Sequence, residues 1–338
     1  MKKENIPVIV WLLSGCLLIF TMVIVGGITR LTGSGLSMVD WKLFAGSIPP
    51  VNNQQWVETF ELYKQFPEFQ KQNYMFTLAE FKSIFFWEYI HRLLGRLIGL
   101  VFIIPFIYFL IKKRLSKKLT LQCIVLLFMG ASQGAIGWWM VKSGLVNNPD
   151  VSHFRLATHL ITAFLTFSYT FWVALSLIYP NKSHQNKTLY KLSFILMIVV
   201  IIQIIYGAFV AGLDAGKVYN SWPKMNNDWI AESVYSMTPL WNNFVNGIAG
   251  VQFIHRTFAF VVLFLIIYIF YQSRKTPLIQ LEKNAINLLL VTVFFQMVLG
   301  IITLVLGVPI WLGVIHQLGA FILLASTVFS IFIFKPTK

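Results

Sequence analysis

The chain has 338 residues, of which 57% are hydrophobic and only 12% are charged, and its formal net charge is +15. This composition excludes an ordinary soluble domain, because so much apolar surface cannot be hidden in a single soluble core. It indicates a polytopic membrane protein.

Stretches of about 20 apolar residues, the length that crosses the hydrocarbon layer, predict eight transmembrane helices. These spans are residues 7–27, 84–111, 119–141, 153–179, 190–213, 248–271, 286–307 and 310–334. The predicted fold class is therefore an all-α polytopic membrane protein. Residues 28–83 form an outer segment, and the aromatic and charged residues within 51–82 predict short amphipathic helices that cap the first bundle.

Lysine and arginine collect on one side of the predicted spans, and this side is expected to be cytoplasmic. They lie at the N-terminus, in the loops around 112–118, 182–191 and 274–283, and in the C-terminal tail. The positive charge is then explained by topology and anionic lipid, and nucleic acid is not expected as a partner. Both termini are predicted to be cytoplasmic. The absence of an Arg-rich and Ser-rich leader favours the bacterial inner membrane.

Two halves of the chain repeat each other. The matches are Gly26, Gly35 and Trp41 with Gly207, Gly216 and Trp222, Gln133-x-x-x-Gly137 with Gln296-x-x-x-Gly300, and Ile90-His91-Arg92 with Ile254-His255-Arg256. Residues 1–180, which include the outer cap, and residues 181–338 are each predicted to form a four-helix bundle. Since each half has an even number of spans, the halves are expected to be related by a pseudo-twofold axis along the membrane normal.

Four histidines occupy matching places in the repeat: His91, His159, His255 and His316. An imidazole inside an apolar span needs a partner or a metal, because no water satisfies it there. A single such histidine is more often a helix-packing residue bonded to backbone. Four in duplicated pairs, about 10 Å below the outer boundary at about 1.5 Å per residue, favour two haem sites toward the outer face.

The neighbours of these histidines differ between the halves. Glu88 lies three residues before His91, whereas Gln252 lies three residues before His255. A spacing of three places each side chain on the helix face of the histidine. The buried carboxyl is either ion-paired with an arginine or kept as an acid or base. Its presence in one copy predicts a reaction in the first half and a haem that passes electrons in the second.

Arginines follow the histidines on the same helices. Arg92 and Arg96 are the candidates for an ion pair with Glu88. Together with Arg256 they are also candidates for contacts with haem propionates, since guanidinium groups suit carboxylates. Helix capping and lipid headgroup contacts are equally good explanations of these arginines.

Several long segments resemble one known family. They are GGITRLTGSGLSMVDWK followed by IPP, QFPEF, TLAEFKSIFFWEYIHRLLGRLIGLV, GWWMVKSGL, FVAGLDAGKVYNSWPKM, QFIHR and the pair His316-Gln317. In these segments, and over nearly its whole length, the chain resembles haem A synthases of the subgroup found in mitochondria and related bacteria.

This resemblance implies an oxidoreductase that converts haem O to haem A for haem-copper oxidases by oxidising a porphyrin methyl to a formyl group. Two successive hydroxylations of the methyl are the expected route. The resemblance also implies haem b as the cofactor on His255 and His316, substrate haem O on His91 and His159, and Glu88 as the catalytic carboxylate.

Cysteine use separates the chain from another branch of that family, which carries cysteine pairs in its outer loops. The only cysteines here are Cys16 and Cys123, on different apolar spans. We therefore expect no disulfide and no thiol relay.

The alternative function is that of a di-haem b-type membrane cytochrome that passes electrons from quinol. It would share the spans and the histidines, and Glu88 distinguishes the two functions. Besides haem O and lipid, the expected partners are a haem O synthase, an electron-transfer protein and a second copy of the chain.

Overall fold

The structure is a computed structural model that describes residues 3–39, 48–146, 149–180 and 186–336. Throughout these ranges the regular structure is helical, apart from an isolated β-bridge between Met225 and Asp228. The predicted all-α fold class is confirmed.

Ten α-helices follow one another in the described ranges. They are α1 (Ile6–Leu31), α2 (Asn53–Tyr63), α3 (Pro67–Lys71), α4 (Leu78–Ile111), α5 (Lys117–Gly144), α6 (His153–Ile178), α7 (Lys187–Gly212), α8 (Ile248–Ser273), α9 (Gln280–Val305) and α10 (Ile310–Phe334). All except α2 and α3 are long and apolar enough to cross a membrane, which confirms the eight predicted spans.

Two of the long helices begin earlier than their apolar stretches, α4 at residue 78 rather than 84 and α9 at residue 280 rather than 286. At α4, Thr77 Oγ1 accepts a hydrogen bond from Glu80 N at 3.4 Å, and Glu80 Oε2 accepts one from Thr77 N at 2.7 Å. At α9, Glu282 Oε2 accepts a hydrogen bond from Ile279 N at 3.0 Å. These caps satisfy the first N–H groups of each helix, so polar first turns extend it beyond the apolar run.

Large apolar side chains cover the outside of the long helices. Phe295, Ile111 and Phe128 are 76%, 72% and 71% exposed. In water this exposure would be costly, whereas in a bilayer these side chains face lipid tails. The chain is therefore a multi-pass membrane protein.

The chain forms two compact units, Leu18–His159 in one, and Met1–Leu17 with Leu160–Lys338 in the other. In the latter unit α7 packs against α8 and α10, and α9 packs against the same two helices, so the four helices close a ring. In the former unit α4 packs against α5. The boundary expected near residue 180 and the pseudo-twofold axis stay predictions.

Helices α2 and α3 confirm the short helices predicted within residues 51–82. The rings of Phe60 and Tyr63 on α2 each lie 5.0 Å, centre to centre, from the ring of Phe81 on α4. The outer segment is thus held to the first turns of α4 by buried aromatic contacts. Part of this segment, residues 40–47 with Trp41, lies outside the described residues.

A carboxyl group is buried inside this cap. Glu68 on α3 is 4% exposed, and it accepts a hydrogen bond from the Tyr63 hydroxyl at 2.8 Å. The Tyr63 oxygen in turn accepts one from Asn73 Nδ2 at 2.8 Å. Burial, reinforced by the charges of Glu88 and Asp150, raises the pKa of Glu68 to about 8. Glu68 is therefore mostly neutral at pH 7.

Between α7 and α8 the chain forms an irregular segment with short 3₁₀ turns at Ala215–Lys217, Glu232–Tyr235 and Leu240–Phe244. Met225 and Val234 are buried in this segment and pack with Ala249 of α8. The segment therefore has a small core of its own against the first turn of α8.

Candidate functional site

Each of the four histidine rings lies against a glycine of the long helix that precedes it in the chain. The pairs are Gly26 with His91, Gly137 with His159, Gly207 with His255, and Gly300 with His316. A β-carbon on these glycines would lie, in the same order, 3.4, 3.3, 3.2 and 2.8 Å from the nearest ring atom. Since carbon atoms pack at about 3.5–4.0 Å, a side chain at Gly300 would force a shift, and at the other three positions the ring would have to give by a few tenths of an ångström. We call these four residues the cradle glycines.

The second pair of histidines lies at a spacing that suits one metal ion. The ring centres of His255 on α8 and His316 on α10 are 6.4 Å apart, and the ring planes are 87° apart. Metal–imidazole bonds are about 2 Å long and the nitrogen lies about 1 Å from the ring centre, so two rings on opposite sides of one metal have centres roughly 6 Å apart.

The surroundings of this pair also fit a bis-imidazole haem. Within the described ranges, the Nδ1 atoms of His255 and His316 are buried and have no hydrogen-bond partner. Neutral imidazoles are common axial ligands of haem iron, and the cradle glycines Gly207 and Gly300 keep space for both rings. The residues present therefore fit the predicted cofactor.

Two glutamines hold the same histidines by their backbone. Gln203 Nε2 on α7 donates to the carbonyl oxygen of His255 at 3.0 Å, and Gln296 Nε2 on α9 donates to that of His316 at 2.9 Å. The repeat already pairs Gln296 with Gln133 in the sequence, but assigns them no role. Sequence reasoning missed Gln203, although the spacing Gln-x-x-x-Gly recurs at Gln203 and Gly207.

The first pair of histidines, His91 on α4 and His159 on α6, belongs to the unit Leu18–His159. Both rings are partly buried. His91 presents its Nε2 edge to Gly26, whereas the other three rings present Cε1 to their glycines. His91 is therefore oriented differently from its counterparts.

Glu88 is 2% exposed and has three hydrogen-bond donors. Its Oε2 accepts from Ser37 Oγ at 2.7 Å and from Met38 N at 2.8 Å, and its Oε1 accepts from Arg92 at 2.5 Å. Arg92 also donates to the carbonyl oxygen of Met38 at 2.7 Å. The structure contains the ion pair with Arg92, and an acid–base role of Glu88 stays a prediction. The pair also fastens the segment after α1 to α4.

The corresponding pair in the second half fastens the segment after α7. Gln252 Nε2 donates to the carbonyl oxygens of Ala215 at 3.0 Å and Tyr219 at 3.2 Å. Arg256 donates to the carbonyl oxygen of Ser221 at 2.8 Å. Glu88 and Gln252 thus both bond the segment that follows the preceding long helix. They do so in opposite directions, because the carboxylate accepts hydrogen bonds and the amide donates them.

The candidate propionate ligands lie beside these pairs. One terminal nitrogen each of Arg92 and Arg256 is bonded to backbone carbonyls, and Arg96 is partly buried about one turn after Arg92 on α4. Within the part of the chain that the structure describes, Arg256 Nη1 is buried without a hydrogen-bond partner. Contacts of the three arginines with propionates stay a prediction.

Ser37 and Met38 are site residues that sequence reasoning missed. They lie 51 and 50 residues before Glu88 in the chain, and no local pattern connects them with the carboxylate. Their segment, GSGLSM, was informative only as part of the family resemblance.

The two cysteines lie outside the segments that carry Ser37, Met38 and Glu88. Cys16 is buried in α1 and Cys123 is buried in α5.

The fold and the donor set define a class, that of multi-pass membrane proteins with paired imidazoles suited to haem. Residues 9–328 match the family described as COX15-CtaA, cytochrome oxidase assembly protein. A protein named haem A synthase from Flavobacterium psychrophilum is 54% identical over 333 residues, which cover 97% of this chain and 98% of the relative.

Two further proteins of that name have similar coverage. The one from Nitrosospira multiformis is 44% identical over 95% of this chain and 91% of its own length, and the one from Wolbachia pipientis wMel is 40% identical over 96% and 92%. The chain belongs to the haem A synthase family of cytochrome oxidase assembly proteins.

Proposed function

We propose that this protein converts haem O to haem A, which agrees with the name haem A synthase that its relatives carry. The observation that supports this most directly is the repetition of a glycine-cradled histidine pair with unlike neighbours, Glu88 beside one pair and Gln252 beside the other. A di-haem electron carrier gives no reason for that difference, and the relatives do not favour it.

The second pair, His255 and His316, would hold haem b as the resident cofactor. Haem b supplies one-electron transfer when bound. The chain's own residues supply the donor set, the space kept by Gly207 and Gly300, and the closed ring of α7 to α10 that carries the two histidines.

The first pair, His91 and His159, would bind the substrate haem O. Conversion of its methyl to a formyl group removes four electrons in all, which makes the enzyme an oxidoreductase. We infer two successive hydroxylations of the methyl carbon, each of which takes its oxygen from water and gives up two electrons to an electron-transfer partner and two protons. Loss of water from the resulting geminal diol then gives the formyl group. Both hydroxylations release protons, so the site needs a base.

Glu88 is our candidate for that base. An ionised carboxylate has about four acceptor positions, and Ser37, Met38 and Arg92 use three of them. One position on Oε1 is left to accept a proton from the reacting group. The three donors fix the carboxylate in place, and Arg92 stabilises its charge before the proton arrives.

The variant Glu88→Gln tests this role. The amide oxygen can still accept from Ser37 and Met38, but the amide N–H₂ cannot accept a proton or pair with Arg92. Pigments extracted from the purified variant should contain haem b and haem O without haem A. Ser37→Ala is the matched control, because it removes one donor and keeps the carboxylate, and it should still form haem A. A normal yield of haem A from Glu88→Gln contradicts the role of Glu88.

The positive loops support an orientation in the bacterial inner membrane with both termini in the cytoplasm and the haem sites toward the outer face. A haem O synthase, an electron-transfer protein and a second copy of the chain are the partners we propose.

A further inference from the structure

Three of the four cradle glycines follow a glutamine by four residues on the same helix. The pairs are Gln133–Gly137 on α5, Gln203–Gly207 on α7 and Gln296–Gly300 on α9. A spacing of four places both residues on one helix face, about one turn apart. On α1 the corresponding residue, four before Gly26, is Met22. Among the four cradle glycines, Gly26, which lies against His91, is thus the one with no glutamine four residues before it.

In the unit that contains α7 to α10, the glutamines reach the histidines themselves. Gln203 and Gln296 donate to the carbonyl oxygens of His255 and His316 at 3.0 and 2.9 Å. A carbonyl oxygen has two lone pairs, so it accepts this bond in addition to its own helical one. Each amide therefore joins two helices at the residue whose ring is a candidate iron ligand.

These amides are costly residues for a membrane interior. The side-chain oxygens of Gln203 and Gln296 are buried and have no hydrogen-bond partner among the described residues. An apolar side chain would fill the same space without that cost. The backbone of α10 is also shaped around one amide, because a β-carbon on Gly319 would overlap Gln296 Oε1. The cost indicates that the amides serve a task other than packing.

Met22 fills the corresponding place in the first unit. Its Cε lies 3.5 Å from the position of a β-carbon on Gly95, about one turn after His91, much as Gln296 reaches Gly319 about one turn after His316. A thioether has no N–H group to donate. Met22 therefore contacts α4 by packing alone and cannot fasten the backbone of His91.

We propose that Gln203 and Gln296 are positioning residues that hold His255 and His316 for a resident haem, whereas Met22 leaves His91 able to release a haem that must enter and leave. This inference rests on the proposed function, which assigns the cofactor to the second pair and the substrate to the first. Amides on both sides of the second site favour retention of its haem. The first site has a glutamine on the His159 side, Gln133, but a thioether on the His91 side, which favours exchange.

Haem transfer from the purified, haem-loaded protein to excess apomyoglobin tests this inference. Gln203→Met and Gln296→Met should each release haem b roughly 3- to 20-fold faster, the range expected for one interhelical hydrogen bond in a membrane. They should also shift the midpoint potential of haem b, which a general loss of stability would not do. Gln280→Met is the matched control at the exposed start of α9, where the amide Nε2 donates to Asn284 Oδ1 at 2.8 Å, and it should change neither quantity.

Met22→Gln is the complementary variant, because it adds the amide to the first site. It should slow the release of haem O by a similar factor and leave haem b unchanged. Met22→Gln adds a hydrogen bond and removes none, so it still tests the proposal if Gln203→Met or Gln296→Met cannot be purified.

Unchanged haem b release and potential in both glutamine variants would overturn the positioning role. An unchanged rate of haem O release from Met22→Gln would overturn the role of Met22. A wild-type protein that contains no haem b would instead contradict the proposed function.

Discussion

The cradle of His316 is the tightest of the four and gives the sharpest prediction. Gly300→Ala would place a β-carbon 2.8 Å from His316 Cε1. Because carbon atoms pack at about 3.5–4.0 Å, the ring or the helix has to move by roughly 1 Å. Overpacking of this kind costs about 1–3 kcal/mol. The backbone of His316 cannot easily move away to relieve this contact, since its carbonyl oxygen is hydrogen-bonded to Gln296 Nε2.

The loss of haem b should be smaller where the glycine lies farther from the ring. Gly207→Ala, with a contact of 3.2 Å, should disturb His255 less and keep more haem b than Gly300→Ala. Gly134→Ala is the matched control on α5, because nothing lies within 4 Å of its β-carbon position. Alanine is preferred over glycine in a helix interior by about 1 kcal/mol, so this control should be neutral or stabilising.

The assay is the amount of haem b per polypeptide, measured by pigment extraction from detergent-purified protein, together with the melting temperature. Gly300→Ala should lose most of its haem b and melt lower than the control. If it binds as much haem b as Gly134→Ala and melts at the same temperature, the cradle glycines do not position the histidines.

Two further predictions concern buried charges. The pKa of Glu68 is raised from 4.5 to about 8, so its stabilising neutral form is fully present below pH 4.5 and is lost as the pH rises through about 8. The wild-type protein should therefore lose stability on the order of 1–3 kcal/mol between about pH 6 and pH 9. Glu68→Gln should abolish this loss, as measured by melting temperature, and an unchanged loss in the variant would refute the reasoning. Arg92→Ala leaves the Glu88 carboxylate buried without its ion pair and should cost about 3–5 kcal/mol. Arg256→Ala, which loses hydrogen bonds to backbone carbonyls, should cost about 1–3 kcal/mol, and equal losses of stability in the two variants would contradict the difference.

The membrane helices are predictable from the sequence because crossing the hydrocarbon layer demands length and apolarity, which are local properties. The apolar stretch 310–334 predicts α10 with both of its ends. The beginning of α4 is less predictable by hydropathy, since Thr77 and Glu80 extend that helix through hydrogen bonds. The four histidines are likewise predictable, because the repeat makes each pair visible without any knowledge of contacts.

The partners of those residues depend on tertiary structure. The sequence alone leaves Glu88 either ion-paired or an acid–base group, and the fold surrounds it with Arg92 and with two donors about fifty residues earlier in the chain. Gln203 is similarly 52 residues from the histidine that it holds.

The sequence by itself therefore determines the spans, the repeat and the break in it at Glu88. Only the packing of the helices decides which glycine makes room for each ring, which amide holds each histidine and which arginine neutralises the carboxylate. The physical reason is that apolar periodicity is written along one helix. The close contacts that orient a side chain arise between helices, at distances set by how they pack.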